Sequence, residues 1–65
     1  MTLKEAREAK GYTQADLGIL LNITQAAVAN YESNTRKPSL DNAKNIADAL
    51  DIDLIDVWRM FYNTK

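Results

Sequence analysis

Cysteine and histidine are both absent from the 65-residue chain. Without cysteine there can be no disulfide, and the commonest ligands of structural zinc are missing as well. A chain of this size buries only roughly 60% of the surface that its unfolded form exposes, so its stability is marginal without help. These absences leave very good helix packing or a partner subunit as the means of stabilising the fold.

The sequence also lacks a charged start leading into an apolar run, and no apolar stretch approaches the length of a membrane span. The absence of cysteine fits a reducing compartment. We therefore expect a soluble cytoplasmic protein that carries no signal peptide and does not enter a membrane.

The chain lacks most of the residue types and motifs that enzymes use for catalysis. There is no histidine or cysteine, glycine occurs only twice, and no spacing forces two carboxylates together. A glycine-rich phosphate loop is missing too. We therefore expect no enzyme activity, no bound metal and no cofactor.

Net positive charge is missing as well: the formal charge is −1 and the isoelectric point is about 5.1. This balance argues mildly against a nucleic-acid partner. The charge is uneven, however, because residues 1–37 carry five cations and four acids, whereas residues 38–65 carry three cations and five acids. We expect the acidic C-terminal part to face solvent or a partner protein.

Helix signals are dense, whereas no window alternates apolar and polar residues cleanly enough for a strand. The pattern predicts one all-α domain of five helices over residues 1–65, with the second helix at about 14–21 and the third at about 25–32. Asn22 suits a tight turn of positive φ between them, and this short connection is typical of a helix-turn-helix. The residues expected to cap the five helices are Thr2, Thr13, Thr24, Ser39 and Asp53.

Four segments of the chain carry a resemblance to a known family: L-K-E-A-R-E-A-K-G-Y-T-Q-A-D-L, L-L-N-I-T-Q, N-Y-E-S-N-T-R-K-P-S-L and I-A-D-A-L-D-I-D-L. In order and spacing they resemble the Cro/phage-repressor-type (XRE-like) helix-turn-helix DNA-binding family between Leu3 and Trp58. The resemblance implies a lambda-repressor-like fold and a sequence-specific transcriptional regulator, acting as a repressor. It also implies a dimer whose third helices read the major groove of a near-palindromic operator in double-stranded DNA.

The chain departs from the family at two positions, with Gly18 where alanine is usual and Asn22 where glycine is usual. We expect Gly18 to allow the second and third helices to approach closely, at about 1 kcal/mol of helix propensity. Asn22 keeps the positive φ of the turn. The third helix also lacks the arginine or lysine that the family often places there.

The third helix is the candidate for base recognition. With Val28 and Tyr31 turned inward, an outer face remains whose two amides can each pair with the edge of adenine, and whose alanines allow close approach to thymine methyl groups. On these residues alone, an ordinary solvated face is the simpler interpretation, and the flanking motif reverses that preference. The face comprises Gln25, Ala26, Ala29 and Asn30.

Phosphate contacts are expected on both sides of that helix. The resemblance implies that Gln14 contacts a phosphate and braces Gln25, whereas Glu32 is expected to bond to neighbouring backbone. Cations and amides in the following loop suit further phosphates, although a solvated charged turn and a free glutamine explain the same residues. The remaining predicted DNA-binding residues are Thr24, Asn34, Arg36 and Lys37.

The fifth helix has more apolar residues than one buried face can use. One interpretation is that Trp58 and Phe61 complete a small core, since small cores need large aromatics. The other is an exposed apolar patch that forms a homodimer. The predicted dimer interface comprises Ile55, Trp58, Phe61 and Tyr62, with Phe61 and Tyr62 as the main contacts.

Fold alone does not establish function. The competing hypothesis is a protein-interaction module on the same fold, such as an antirepressor or an antitoxin-like partner. Specific DNA binding weakens steeply with salt, whereas an apolar protein interface changes little, so salt dependence separates the two hypotheses.

Overall fold

The computed structural model describes residues 1–62, and five α-helices with no strand make up this part of the chain. The all-α prediction is confirmed, and the second and third helices have the bounds that the sequence predicts. None of these helices is long and apolar enough to cross a membrane. In chain order the helices are α1 (Leu3–Ala9), α2 (Gln14–Leu21), α3 (Gln25–Glu32), α4 (Leu40–Leu50) and α5 (Leu54–Phe61).

Hydroxyl side chains start the first four helices. The predicted cap Thr13 forms a capping box at α2: Thr13 Oγ1 accepts from the Asp16 amide at 3.0 Å, and the Asp16 carboxylate accepts from the Thr13 amide at 2.9 Å. Thr2, Thr24 and Ser39 likewise accept a hydrogen bond from the amide three residues ahead. Asp53 precedes α5 but makes no side-chain capping bond.

The turn between α2 and α3 is as tight as the sequence predicts. Asn22 ends α2 in the left-handed conformation, with φ at 58°, a region that asparagine tolerates better than most residues. A Cβ atom at Gly18 would lie 2.9 Å from the carbonyl oxygen of Ile23. Glycine therefore lets the turn fold back against α2, as we expected from the departure at this position.

The core lies where α2 packs against α3 and α4, with α1 against α3 and α5 against α4. Inward-facing side chains recur every three or four residues along the helices, as expected for short amphipathic helices. The largest fully buried side chains are Leu17, Val28, Ile46, Leu50 and Val57.

Two leucines in apolar runs are exposed. Leu20 in α2 and Leu40 in α4 each have more than half of their surface open to solvent. In α2 the buried positions are Leu17, Gly18 and Leu21, so the inward face is narrower than the run of apolar residues.

Phe61 corrects the predicted dimer interface. It is 6% exposed and meets the Tyr31 ring edge-on, with 6.0 Å between the ring centroids. Val57 and Phe61 are four residues apart, so one face of α5 carries both into the core. Phe61 therefore cannot be a main contact with another subunit, and the core interpretation is right for this residue.

Candidate nucleic-acid interface

The outer face of α3 is assembled as the sequence predicts. Val28 and Tyr31 are buried, which fixes the rotation of the helix about its axis. Gln25 and Ala26 are consequently exposed, and Ala29 and Asn30 are half-buried on the same side. The result is a smooth surface in which two small side chains lie between two amides.

Thr24 and the α2–α3 turn hold the start of this helix. The Thr24 hydroxyl accepts a hydrogen bond from the Ala27 amide at 3.0 Å, which satisfies one of the free amides of the first turn. The residue remains exposed. Its capping bond leaves the hydroxyl proton free to donate to an anion.

Gln14 differs from its predicted role as a brace for Gln25. Its side-chain amide donates instead to Glu32 Oε1, at 3.1 Å. Glu32 was expected to bond to neighbouring backbone. Its carboxylate instead lies at the centre of a network of side-chain hydrogen bonds. Gln14 thus links the start of α2 to the end of α3 and is half-buried.

Arg7 is the main partner of Glu32. Its Nε donates to Glu32 Oε2 at 2.6 Å, and its Nη1 donates to the Tyr12 carbonyl at 2.7 Å. The side chains of Arg7 and Glu32 are only 9% and 8% exposed. This network joins α1, the α1–α2 connection, α2 and α3.

The network shifts both ionisable groups toward their charged forms. Burial raises the pKa of Glu32, but the hydrogen bonds from Arg7 and Gln14, with the charges of Arg7 and Lys4, outweigh it and leave this pKa below its ordinary value. The hydrogen bond to Glu32 raises the pKa of Arg7 against the opposing effect of burial. The pair is therefore ionised at neutral pH.

Sequence reasoning missed this pair, although a signal was present. Arg7 lies four residues after Leu3, and Glu32 lies four residues after Val28, so each charge falls on a predicted buried face. Opposite charges on two inward faces indicate a buried ion pair.

The loop after α3 is tied to the end of that helix. The amides of Thr35 and Arg36 both donate to the Asn30 carbonyl, at 3.0 and 3.2 Å, and Asn34 has a left-handed φ of 60°. Asn34, Arg36 and Lys37 are all exposed. Two cations therefore stand beside the amide-bearing face of α3.

An aromatic contact links this loop to the C-terminal end of α5. Lys37 Nζ lies 5.0 Å from the centroid of the Tyr62 ring. Tyr62 stacks on Trp58, with 4.2 Å between the centroids and 24° between the planes. Tyr62 is half-buried against the core, so only part of its ring is open to another molecule.

Residues 1–62 line at least two apolar grooves on the surface. A groove of about 440 Å³, which we call the α4–α5 groove, is lined by Leu40, Leu54, Ile55 and Trp58. It contains the predicted dimer residues Ile55 and Trp58, which are 53% and 39% exposed. A smaller α2 groove of about 300 Å³, which sequence reasoning did not anticipate, is lined by Tyr12, Asp16, Ile19 and Leu20.

Within residues 1–62, no three acidic side chains are grouped closely enough to hold a metal ion. The acids of α4 and α5 are mostly exposed and spread along the surface. Along the chain, the amides of Gln25 and Asn30 on α3 are followed by two cations in the next loop.

Comparison with known proteins assigns the sequence to a family. A family model described as helix-turn-helix matches residues 3–57, which span all of α1 to α4 and the first half of α5. No curated protein and no solved structure matches the chain significantly.

Proposed function

The chain belongs to the Cro/C1-type helix-turn-helix family of DNA-binding regulators, and on that basis we propose that it is a repressor that reads the major groove with α3 as a homodimer. The observation that carries the proposal is the outer face of α3. Gln25 and Asn30 flank two alanines there, and the small alanine side chains allow the helix to approach base edges closely.

Base reading is assigned to the two amides of α3. Glutamine and asparagine can each donate to N7 and accept from N6–H of adenine in the major groove, and alanine methyls fit against thymine methyls. We infer a half-site containing A·T pairs where Gln25 and Asn30 reach. Thr24 and Ala26 flank Gln25 at the start of α3 and would lie close to the same bases.

Phosphate binding is assigned to Asn34, Arg36 and Lys37 in the loop and to Gln14 at the start of α2. These contacts would fix the orientation of α3 without reading sequence. Gln14 also bonds to Glu32, so its contribution would be a donor already held in place. With only two cations in the loop and none in α3, one copy should bind DNA weakly.

A dimer would compensate for that weakness, because linking two domains raises affinity through effective concentration. We propose that the α4–α5 groove is occupied by a second copy of this chain. Ile55 and Trp58 would lie at its centre, and Tyr62 at its edge. Asp56 and Arg59 occupy successive turns of α5, so antiparallel packing of two α5 helices would bring opposite charges together.

Two-fold symmetry then dictates the operator. The two copies of α3 would enter successive major grooves about 34 Å apart, so the site should be an inverted repeat with half-sites one helical turn apart. A dimer bound over such a site would block access by other proteins, which is the basis for proposing repression.

The test is selection of bound sites from random DNA duplexes. We expect an inverted repeat with one-turn spacing. Gln25→Ala should cost roughly 1–3 kcal/mol on that site and relax the preference at one base pair, whereas Lys37→Ala should weaken all sequences alike and flatten the salt dependence. If both variants weakened the selected site and random DNA to the same extent, base reading by Gln25 would be wrong.

A second candidate function is favoured by the α2 groove, where Ile19 is 79% exposed. A protein-interaction module would use such an apolar surface to hold another protein, as an antirepressor or an antitoxin-like partner does. Selection that yields no consensus, together with binding to DNA that is no stronger than nonspecific, would favour this function over the first.

A further inference from the structure

We propose that Tyr62 is a positioning residue for DNA binding, whose ring holds the ammonium group of Lys37 in place for a phosphate. The proposal rests on the proposed function, since it takes Lys37 to contact the DNA backbone. It goes beyond the predicted role of Tyr62, which was that of a dimer contact.

The contact has the geometry of a cation–π interaction. Lys37 Nζ lies 5.0 Å from the ring centroid of Tyr62, inside the range of about 6 Å in which the ring attracts a cation. An aromatic face carries no net charge, so it orients the ammonium group without neutralising it. A carboxylate in the same place would compete with the phosphate for the charge.

Both ends of the contact are fixed by their surroundings. Tyr62 stacks on Trp58 and its amide donates to the Trp58 carbonyl at 2.8 Å. Lys37 directly precedes the buried Pro38, and a residue before proline is confined to extended backbone conformations. The flexible lysine side chain is therefore held between a restrained backbone and a stacked ring.

This arrangement has a consequence for binding. A free lysine side chain loses most of its rotamer freedom when it binds a phosphate. A side chain that is already held near its bound position loses less, so its contact contributes more to affinity. Removing the ring while keeping its apolar bulk should cost about two- to fivefold in affinity for each subunit, the strength of an exposed cation–π contact.

The first measurement is the NMR spectrum of the free protein. Lys37 ε-methylene protons beside an aromatic ring experience its ring current, so we expect them to be shifted upfield in the wild type and in Tyr62→Phe. The shift should vanish in Tyr62→Leu. Unshifted protons in the wild type would overturn the proposal directly.

The second measurement is binding to a mixed-sequence DNA duplex over a range of salt concentrations. Tyr62→Phe should bind like the wild type, whereas Tyr62→Leu should show the two- to fivefold loss. Lys37→Ala should have a smaller effect in the Tyr62→Leu background than in the wild type. Arg36→Ala is the matched control, since its effect should be equal in both backgrounds.

The outcomes separate this inference from the function on which it rests. If Lys37→Ala weakens binding equally with and without the Tyr62 ring, the positioning role is wrong and the phosphate role stands. If Lys37→Ala leaves both the affinity and the salt dependence of DNA binding unchanged, the phosphate role is wrong. Urea unfolding of each variant shows whether a loss reflects the contact or the fold, because a purely structural Tyr62 would change stability and leave the double-mutant coupling at zero.

Discussion

Phe61 and Ile55 lie on different faces of α5 and should respond differently to the same replacement. Phe61 is packed in the core, whereas Ile55 is mostly exposed in the α4–α5 groove. Phe61→Ser should lower the free energy of unfolding by about 3–5 kcal/mol, as truncation of a buried phenylalanine does, which is nearly all that a domain of this size has. Ile55→Ser should stay within about 0.5 kcal/mol, as is usual for surface changes.

Circular dichroism with urea unfolding, at a concentration low enough to exclude association, would measure both changes. A Phe61→Ser protein that unfolds at the wild-type urea concentration would contradict the buried position of the ring.

The buried pair of Arg7 and Glu32 predicts a second contrast. Glu32→Gln removes the buried counter-charge of the guanidinium and leaves only the exposed Glu8 carboxylate, 4.0 Å from Arg7 Nη2, so we expect a loss of about 3 kcal/mol in the free energy of unfolding. Replacing both residues together, as Arg7→Met with Glu32→Leu, should cost much less, because no uncompensated charge remains. Urea unfolding of the two variants at neutral pH compares them. Equal losses in the single and double variants would mean that the pair acts through packing alone.

The same pair predicts how stability depends on acid. The pKa of Glu32 in the folded protein lies below its ordinary value of 4.5, so the folded state favours the ionised carboxylate. The contribution of this group is fully present above its unfolded pKa and is lost as the pH falls through the folded one. Urea unfolding between about pH 6 and about pH 3 should show a larger loss for the wild type than for Glu32→Gln. Parallel curves for the two proteins would show that other carboxylates cause the acid sensitivity.

At the scale of the helix, the N-caps of α4 and α5 form a natural comparison. The Ser39 hydroxyl accepts from the Asn42 amide at 3.2 Å, whereas Asp53 makes no side-chain capping bond. Ser39→Ala should therefore cost about 1 kcal/mol in the free energy of unfolding. Asp53→Ala should cost less than half as much, since only the interaction of its charge with the helix dipole is lost. Thermal unfolding would rank the two, and the reverse order would show that Asp53 caps α5 in solution.

The helices themselves were predictable because their signals are local. Each cap lies beside the helix that it starts, and Asn22 marks the turn by its own tolerance of positive φ. The direction in which each apolar residue points was less predictable. Phe61 was predicted to be a dimer contact but is buried, whereas Leu20 and Leu40 are exposed, because the packing of neighbouring helices decides which residues of an apolar run are covered.

The candidate site likewise contains one feature that local sequence patterns predict and one that they do not. The outer face of α3 followed from the inward positions of Val28 and Tyr31, which helical periodicity provides. The partner of Gln14 did not, because its bond to Glu32 joins residues 18 apart in sequence. Contacts of that kind depend on how α2 and α3 cross, which the spacing of residues within one helix does not specify.

At the scale of the whole molecule, the proposed homodimer predicts that substitutions in the two apolar grooves have different effects on dimerisation. Ile55→Ser in the α4–α5 groove should shift the protein from dimer to monomer at micromolar concentration and should weaken binding to a palindromic duplex more than to a single half-site. Ile19→Ser in the α2 groove removes a similar exposed side chain and should leave the dimer intact. Sedimentation velocity measures both. A wild-type protein that stays monomeric, free and on a palindromic duplex, would exclude the dimer.

Trp58 has a further consequence, because it is the only tryptophan in the chain and it lines the α4–α5 groove. The protein therefore carries its own fluorophore at the surface proposed to bind a second copy. An indole that is 39% exposed emits partly from a watery environment, and covering it should move the emission to shorter wavelengths. Dissociation of the dimer on dilution of the unlabelled protein would then appear directly as a shift of the tryptophan emission maximum to longer wavelengths.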